Sequence, residues 1–279
     1  MQIKIYRKII NKIKKYSTII CLRHIDADGD AYGSAMGLAQ LIKDNFPEKQ
    51  VFTDGKNNEN LDFLGKNNQL KKKDYQNSLV IICDTASRER IDSQYWELAS
   101  EKIKIDHHIK GENYADYEWV DPSYVATCEM LGELTINTKL KVSKDAANFF
   151  LLGVITDSGR FLYSNTTPRT FQIAAFLLEK KADLNYLCAK LYQQNLNLLK
   201  FKGYVLNNFA LTKQGIAFIK ITLDILKKYN INRLEAKSVI NILANVREIK
   251  IWLLAIEAEK KLINIWGLKN FFFTKPESK

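Results

Sequence analysis

Three short apolar runs in this chain each end on residues that an apolar core would not choose. STIICLR at 17–23 runs into His24, LVIIC at 79–83 into Asp84, and KIKI at 102–105 into Asp106, His107 and His108. Runs of this length, separated by a helical pattern such as that at 31–44, predict an α/β fold: a mostly parallel sheet with helices on both sides. A further strand is expected near 49–53. Open sheets of this kind bind ligands at the carboxyl ends of their strands. Segments remote in sequence would therefore bring imidazoles and carboxylates to one crevice.

The chain has three histidines among 279 residues, and all of them lie beside aspartates. His24 opens HIDADGD, which supplies Asp26, Asp28 and Asp30, while His107 and His108 follow Asp106. Packing histidines would scatter, whereas imidazoles found only among carboxylates suit divalent cations. Gly29 is expected to let the backbone turn so that Asp28 and Asp30 converge. Gly33 and Ser34 are expected to open a helix whose N-terminal amides hold a phosphate oxygen, which makes Ser34 a candidate substrate contact. Asp157 closes the apolar run FFLLGVIT. Any one of these aspartates alone reads as a cap or turn residue. Four such segments, each placing a ligand type after an apolar run, point to a shared site.

Composition narrows the partners. With 46% apolar residues and no run near the roughly 20 needed to span a bilayer, a membrane protein is not expected. The N-terminal MQIKIYRKIINKIKKY reads as an amphipathic helix and not a secretion signal, so a cytoplasmic location is expected. The four cysteines are far apart with no Cys-x-x-Cys pair, which excludes zinc-ribbon and thioredoxin readings. Cys21 and Cys83 read as core thiols. The net charge of +11 favours phosphate-bearing substrates. The lysine clusters at 12, 14 and 15, at 71–73 and at 260–261 have few arginines and no interleaved aromatics, so each reads by default as solvated surface.

Beyond the first strands the pattern is helical from about 126 to 205, with Pro168 after Thr167 marking a helix start. Residues 184–205 read as a polar helical connector. Then come two strands in 206–222 around Lys213-Gln214-Gly215, a helix near 233–244, and strands at 249–257 and 261–268. This is expected to form a smaller α+β C-terminal domain.

HIDADGDAYGS, CDTASRERI, DHH and GVITDSGRF occur in that order, joined by DPSYVATCEML at 121–131 and YSNTTPRTFQIAAFLLEKKAD at 163–183. Together they closely resemble the DHH–DHHA1 family of phosphoesterases, in its nanoRNase and 3′-phosphoadenosine-5′-phosphate phosphatase branch. The resemblance is close over about 20–185 and loose beyond. It implies a DHH catalytic domain at 1–183, a helical linker at 184–205 and a shortened DHHA1-like substrate-binding domain at 206–279. It also implies two Mn²⁺ ions, with Mg²⁺ as a substitute. His24, Asp28, Asp84 and Asp157 would serve one side of the site and Asp30, Asp84 and His107 the other, with Asp157 free to serve either. Oxygen-rich ligands with few imidazoles suit these ions better than zinc, and a paired site activates water for in-line displacement at phosphorus. Asp106 would act from behind, fixing a histidine tautomer, and His108 would stabilise charge on the phosphoryl oxygens. Arg90 is either a further phosphate contact or a surface arginine.

The substrates so implied are short RNA oligonucleotides or phosphorylated nucleotides. Cyclic or linear dinucleotides are the alternative, and a nucleotide- or RNA-binding protein with weakened catalysis is the reading from another class. The family's second domain carries a Ser-x-Arg-Ser strand and a Gly-Gly-Gly-His loop. Here the last stretch reads LINIWGLKNFFFTKPESK, with Lys269 in the arginine's neighbourhood. A lysine cannot make a bidentate phosphate contact, so altered substrate grip is expected. Phe271–Phe273 read as an apolar strand end or partner-facing patch, with base stacking as the other use. A homodimer is one assembly open to such a chain.

Overall fold

β3 (Leu79–Cys83) is buried along its whole length, as a run of five apolar residues requires of a central strand. It lies in a five-stranded sheet with β1 (Thr18–Leu22), β2 (Gln50–Thr53), β4 (Glu101–Asp106) and β5 (Tyr117–Val120), in the order β2-β1-β3-β4-β5. Every neighbouring pair is parallel. The structure is a computed structural model that describes residues 2–244, 246–257 and 263–269, and it divides into two units between Tyr192 and Gln193. β5 is absent from the strands expected above. Its sequence, YEWV, buries only Trp119, so it offers no continuous apolar run to read.

The helices of the first unit are α1 (Gln2–Lys15), α2 (Gly29–Asn45), α3 (Thr127–Thr138), α4 (Lys144–Asp157), α5 (Pro168–Glu179) and α6 (Leu184–Leu191). They share one core with Ile19, Cys21, Leu79, Ile81, Ile103 and Ile105. The alternate strand residues, Ile20, Leu22, Val80 and Ile82, pack in a second core with Tyr75 and Trp96. Those two rings come from single 3-10 turns at Lys72–Tyr75 and Trp96–Leu98. Short turns therefore supply cover on that face, because the β2–β3 and β3–β4 connections hold no long helix. α2 and α4 lie in close contact, and a Cβ at Gly33 would collide with the Phe149 carbonyl. As expected, Cys21 and Cys83 are buried free thiols.

The second unit contains α7 (Leu196–Asn208), β6 (Ala210–Leu211), β7 (Ile216–Ile221), α8 (Leu223–Tyr229), α9 (Arg233–Ser238), β8 (Ile251–Glu257) and β9 (Ile263–Lys269). Its sheet runs β6-β7-β8-β9, with β7 and β8 parallel and the outer pairs antiparallel. Phe201, Val205, Ile219, Ile221, Leu254 and Ile256 form its core. The stretch 184–205 holds two helices: Leu187 of α6 packs in the first unit's core, and Phe201 of α7 in the second unit's. Asn195 starts α7 by accepting the Leu198 amide at 2.7 Å. Among the described residues no helix is long and apolar enough to cross a membrane.

Candidate metal centre

β1 delivers His24, and the chain then bends into α2 through Asp28. The Asp28 carboxylate caps the helix, accepting from the amides of Asp30 at 3.1 Å and Ala31 at 3.0 Å. The helix thus opens at Gly29 and not at Gly33, and its first amides are occupied by the protein's own carboxylate. Ser34 is fully buried, and its hydroxyl donates to the Ala31 carbonyl at 3.2 Å. The expected phosphate contact at Ser34 is therefore corrected: one turn inside the helix, it back-bonds to the backbone. Gly29 also has a different use from the tight turn expected of it. It lies outside the left-handed region, and a Cβ there would collide with the Thr156 side chain. That close approach sets the start of α2 against the end of α4, where Asp157 sits.

Asp30 is fully buried at the N-terminus of α3. It accepts the Thr127 amide at 2.7 Å and the Cys128 amide at 2.9 Å, a favourable place for an anion. Asp84 follows β3 in the left-handed region at φ 50°, uncommon for a non-glycine residue and a mark of local strain. Thr127 donates its hydroxyl to Asp84 at 3.2 Å.

The imidazoles are oriented by backbone carbonyls. His24 Nδ1 meets the Ile25 carbonyl at 2.7 Å and His107 Nδ1 the Tyr124 carbonyl at 3.3 Å. A carbonyl only accepts, so each Nδ1 carries the proton and turns Nε2 toward the carboxylates. His24 Nε2 lies 3.6 Å from Asp84 Oδ2 and 3.9 Å from Asp28 Oδ1. His107 Nε2 lies 3.4 Å from Asp84 Oδ1, 3.4 Å from Asp157 Oδ2 and 3.9 Å from Asp30 Oδ2. Buried, that nitrogen makes no hydrogen bond.

Three overlapping donor sets result, His24–Asp28–Asp84, Asp30–His107–Asp157 and Asp84–His107–His108, each with its ligand atoms within 4.8 Å of one another. Asp84 turns one oxygen toward His24 and the other toward His107. Asp157 groups with Asp30 and His107, one of the two sides open to it. Donors about 2.1 Å from a common cation at right angles or wider stand roughly 3–4 Å apart, which is the spacing here. The orphaned Nε2 and the excess of carboxylate oxygens fit divalent cations that prefer oxygen.

The electrostatics fit the same use. Burial, reinforced by Asp84, pushes the Asp30 carboxyl up to about 8. Burial and the charges of Asp30, Asp28 and Asp84 push Asp157 up to about 9. Burial would also raise Asp84, but the imidazoles of His107 and His24 facing its two oxygens hold it below the usual carboxylate range. Burial lowers His107, yet Asp84, Asp30 and Asp157 outweigh it and push it up to about 10. Without a cation, such a cluster is held together by protons that a metal would displace.

Behind the cluster Asp106, expected there from the sequence, is joined by Lys104, which was not. Asp106 accepts from His108 Nδ1 at 2.8 Å, and its other oxygen stands 3.4 Å from the Lys104 ammonium. Lys104 is fully buried, donates to the Ala86 carbonyl at 2.9 Å and lies 4.7 Å from the Tyr114 ring centroid. The signal was available: in a strand, positions 104 and 106 share a face. His108 is half-exposed, and Asp106 raises it foremost. Arg90 is exposed at the rim, with Nη2 3.3 Å from His24 Nδ1 and 3.5 Å from the Ile25 carbonyl. Lys269 pairs through its backbone with Ile251, and its side chain, like Phe271–Phe273, lies outside the described residues.

A parallel sheet whose carboxyl edge gathers imidazoles and carboxylates is the general class. The model of the "DHH family, N-terminal domain" matches residues 18–154. The "Bifunctional oligoribonuclease and PAP phosphatase NrnA" of Bacillus subtilis is 35% identical over 258 residues, covering 91% of this chain and 82% of that protein. The "Probable bifunctional oligoribonuclease and PAP phosphatase NrnA" of Streptococcus mutans is 36% identical, covering 90% and 81%. An exopolyphosphatase-related protein of Bacteroides fragilis shares the fold, with a TM-score of 0.86 at 23% identity over 95% of this chain and 83% of its own. The chain belongs to the DHH family of phosphoesterases.

Proposed function

We propose that this chain is a two-metal phosphoesterase that hydrolyses short oligoribonucleotides and removes a phosphate from 3′-phosphoadenosine 5′-phosphate, with Mn²⁺ as its working ion. The observation that carries this reading is Asp84, whose two oxygens face two different imidazoles at 3.6 and 3.4 Å. One carboxylate poised between two donor sets is the arrangement a paired-cation site needs. Similarity to the oligoribonuclease and PAP phosphatase relatives supports the substrate classes.

His24, Asp28 and Asp84 would hold one ion, and Asp84, Asp30, His107 and Asp157 the other. When bound, such a pair supplies water activation at neutral pH and neutralises charge developing at phosphorus. The remaining work falls to the chain's own groups. Lys104 and the His108 ring flank Asp106, which keeps the His108 Nδ1 proton in place. His108 is thereby oriented as a donor at the open side of the cluster, where a phosphoryl oxygen gains charge. Arg90, at the rim beside His24, is suited to a second phosphate oxygen.

The test is a panel of 5′-phosphorylated di- to pentaribonucleotides, 3′-phosphoadenosine 5′-phosphate and cyclic di-AMP incubated with protein and Mn²⁺, with products identified by mass. Mononucleotides from the linear oligomers and adenosine monophosphate from the bisphosphate are expected. Preferential opening of the cyclic dinucleotide would overturn the substrate assignment. Tight nucleotide binding without Mn²⁺-dependent turnover would overturn the enzyme reading itself.

A further inference from the structure

α1 buries Tyr6, Ile9, Ile10 and Ile13 and turns a basic face outward. Lys4, Arg7, Lys8, Lys12 and Lys15 line a groove of about 470 Å³ in which Glu101 is the sole carboxylate. Glu101 pairs with Lys12 and lies 3.8 Å from Lys15. Lys4, Arg7 and Lys8 have no carboxylate partner among the described residues. This groove is not an extension of the metal centre: Glu101 begins β4 whereas Asp106 ends it, which puts the two roughly 17 Å apart along the strand.

The cations are ordered. Lys4, Lys8, Lys12 and Lys15 recur at about one helical turn and form a row about 16 Å long, enough for several phosphates and too long for one. Aromatic rings flank the row, Tyr117 arriving from β5 and Tyr16 following Lys15 directly. Lys8 Nζ lies 4.0 Å from the Tyr117 centroid and Lys15 Nζ 5.0 Å from that of Tyr16. Burial and the charges of Lys8 and Lys15 lower the Lys12 ammonium, a crowding that a polyanion would relieve. Arg7 and Asn11 also border a second groove, of about 510 Å³, where Ile10, Phe46 and Leu140 meet the amide of Asn137. Apolar walls with an amide beside a row of cations suit bases attached to a phosphate backbone. A membrane surface fits less well, because the apolar stripe that would enter lipid is already buried in the protein core.

We propose that the outer face of α1 is a docking surface for single-stranded RNA, separate from the metal centre, with phosphates along the lysine row and bases toward the Arg7–Asn11 groove. This goes beyond the enzymatic reading and does not depend on it. The experiment uses the full chain in chelator, so that turnover plays no part, and follows the anisotropy of an end-labelled 12-nucleotide RNA across a salt series. The K4Q/K8Q/K15Q variant spares the Lys12–Glu101 pair. It is expected to lose at least about tenfold in affinity at low salt, with a logarithmic salt slope shallower by about 2. Its Mn²⁺-dependent hydrolysis of a dinucleotide is expected to match the parent. K4Q/K8Q, with a slope change of about 1.4, decides the matter if the triple variant melts early. Unchanged RNA binding in these variants, or none in the parent, overturns the proposal. So does equal competition by adenosine monophosphate, or stronger lysine-dependent binding to phosphatidylglycerol vesicles than to RNA.

Discussion

Asp84 is held at φ 50°, nearly inaccessible, with each oxygen facing a different imidazole. Asp84→Asn keeps the shape and removes the charge. Turnover with Mn²⁺ should fall by more than about 100-fold, beyond the loss typical of an outer partner of a ligand; near-parental rates would refute its shared role. Lys104→Met breaks a buried charge pair and leaves Asp106 with His108 as its remaining partner, expected to cost about 3 kcal/mol by denaturant unfolding. Adding Asp106→Asn should recover most of that stability while kcat stays low, because His108 has then lost the carboxylate that orients it. A double variant with restored kcat would reduce the pair to packing. The cluster also titrates. Asp30 and Asp157, raised to about 8 and 9, bind protons more tightly folded than unfolded, so metal-free stability falls as pH rises through those values. His107, raised to about 10, adds stability that is full below its unfolded value and lost toward that pH, with the same sign. In chelator, Tm should therefore decline from pH 7 to 10, and excess Mn²⁺ should blunt the decline; a flat profile in chelator would contradict the cluster's electrostatics.

Elements differed in how openly they showed themselves in the sequence. β3 was plain because both its faces are covered, so every residue had to be apolar. The His/Asp cluster was plain for the converse reason: His24, Asp84, His107 and Asp157 interrupt apolar runs where nothing structural requires charge. β5 was hidden, as an edge strand burying one residue of four. α8 was hidden because seven residues between a Thr222 cap and a left-handed Asn230 carry too little periodicity. The role of Lys104 was hidden because a lysine in a strand reads as solvent-facing until its partner is known. Ser34 was misjudged because the start of α2 depends on the Asp28 cap, and several residues in HIDADGD could cap. The α2–α4 contact gives a test at this scale. Gly33→Ala drives a methyl into the Phe149 carbonyl and should lower stability by about 1–3 kcal/mol, read from the midpoint of urea unfolding. An unchanged midpoint would show that the two helices part easily.

At the scale of the molecule, the division into an α/β unit and a smaller α+β unit follows from where the apolar periodicities sit. Its boundary is less legible, since α6 and α7 look alike in sequence and differ only in which core receives Leu187 or Phe201. Between them, residues 192–195 are all exposed. Brief chymotrypsin treatment should cut first after Tyr192, leaving two fragments whose masses locate the cut; cleavage elsewhere first would place the weakest joint within a unit. The Asp30 clamp has a consequence for how the protein is made. Its carboxylate is held by amides 97 and 98 residues further along, and Asp157 comes later still. A ribosome that has delivered the first hundred residues has delivered three of the five strands, one of the three histidines and the His24–Asp28–Asp84 donors, but neither His107 nor Asp157. A cation held by Asp30, His107 and Asp157 would thus report that the chain has closed as far as the end of α4, because a chain interrupted before Asp157 lacks the last of those donors.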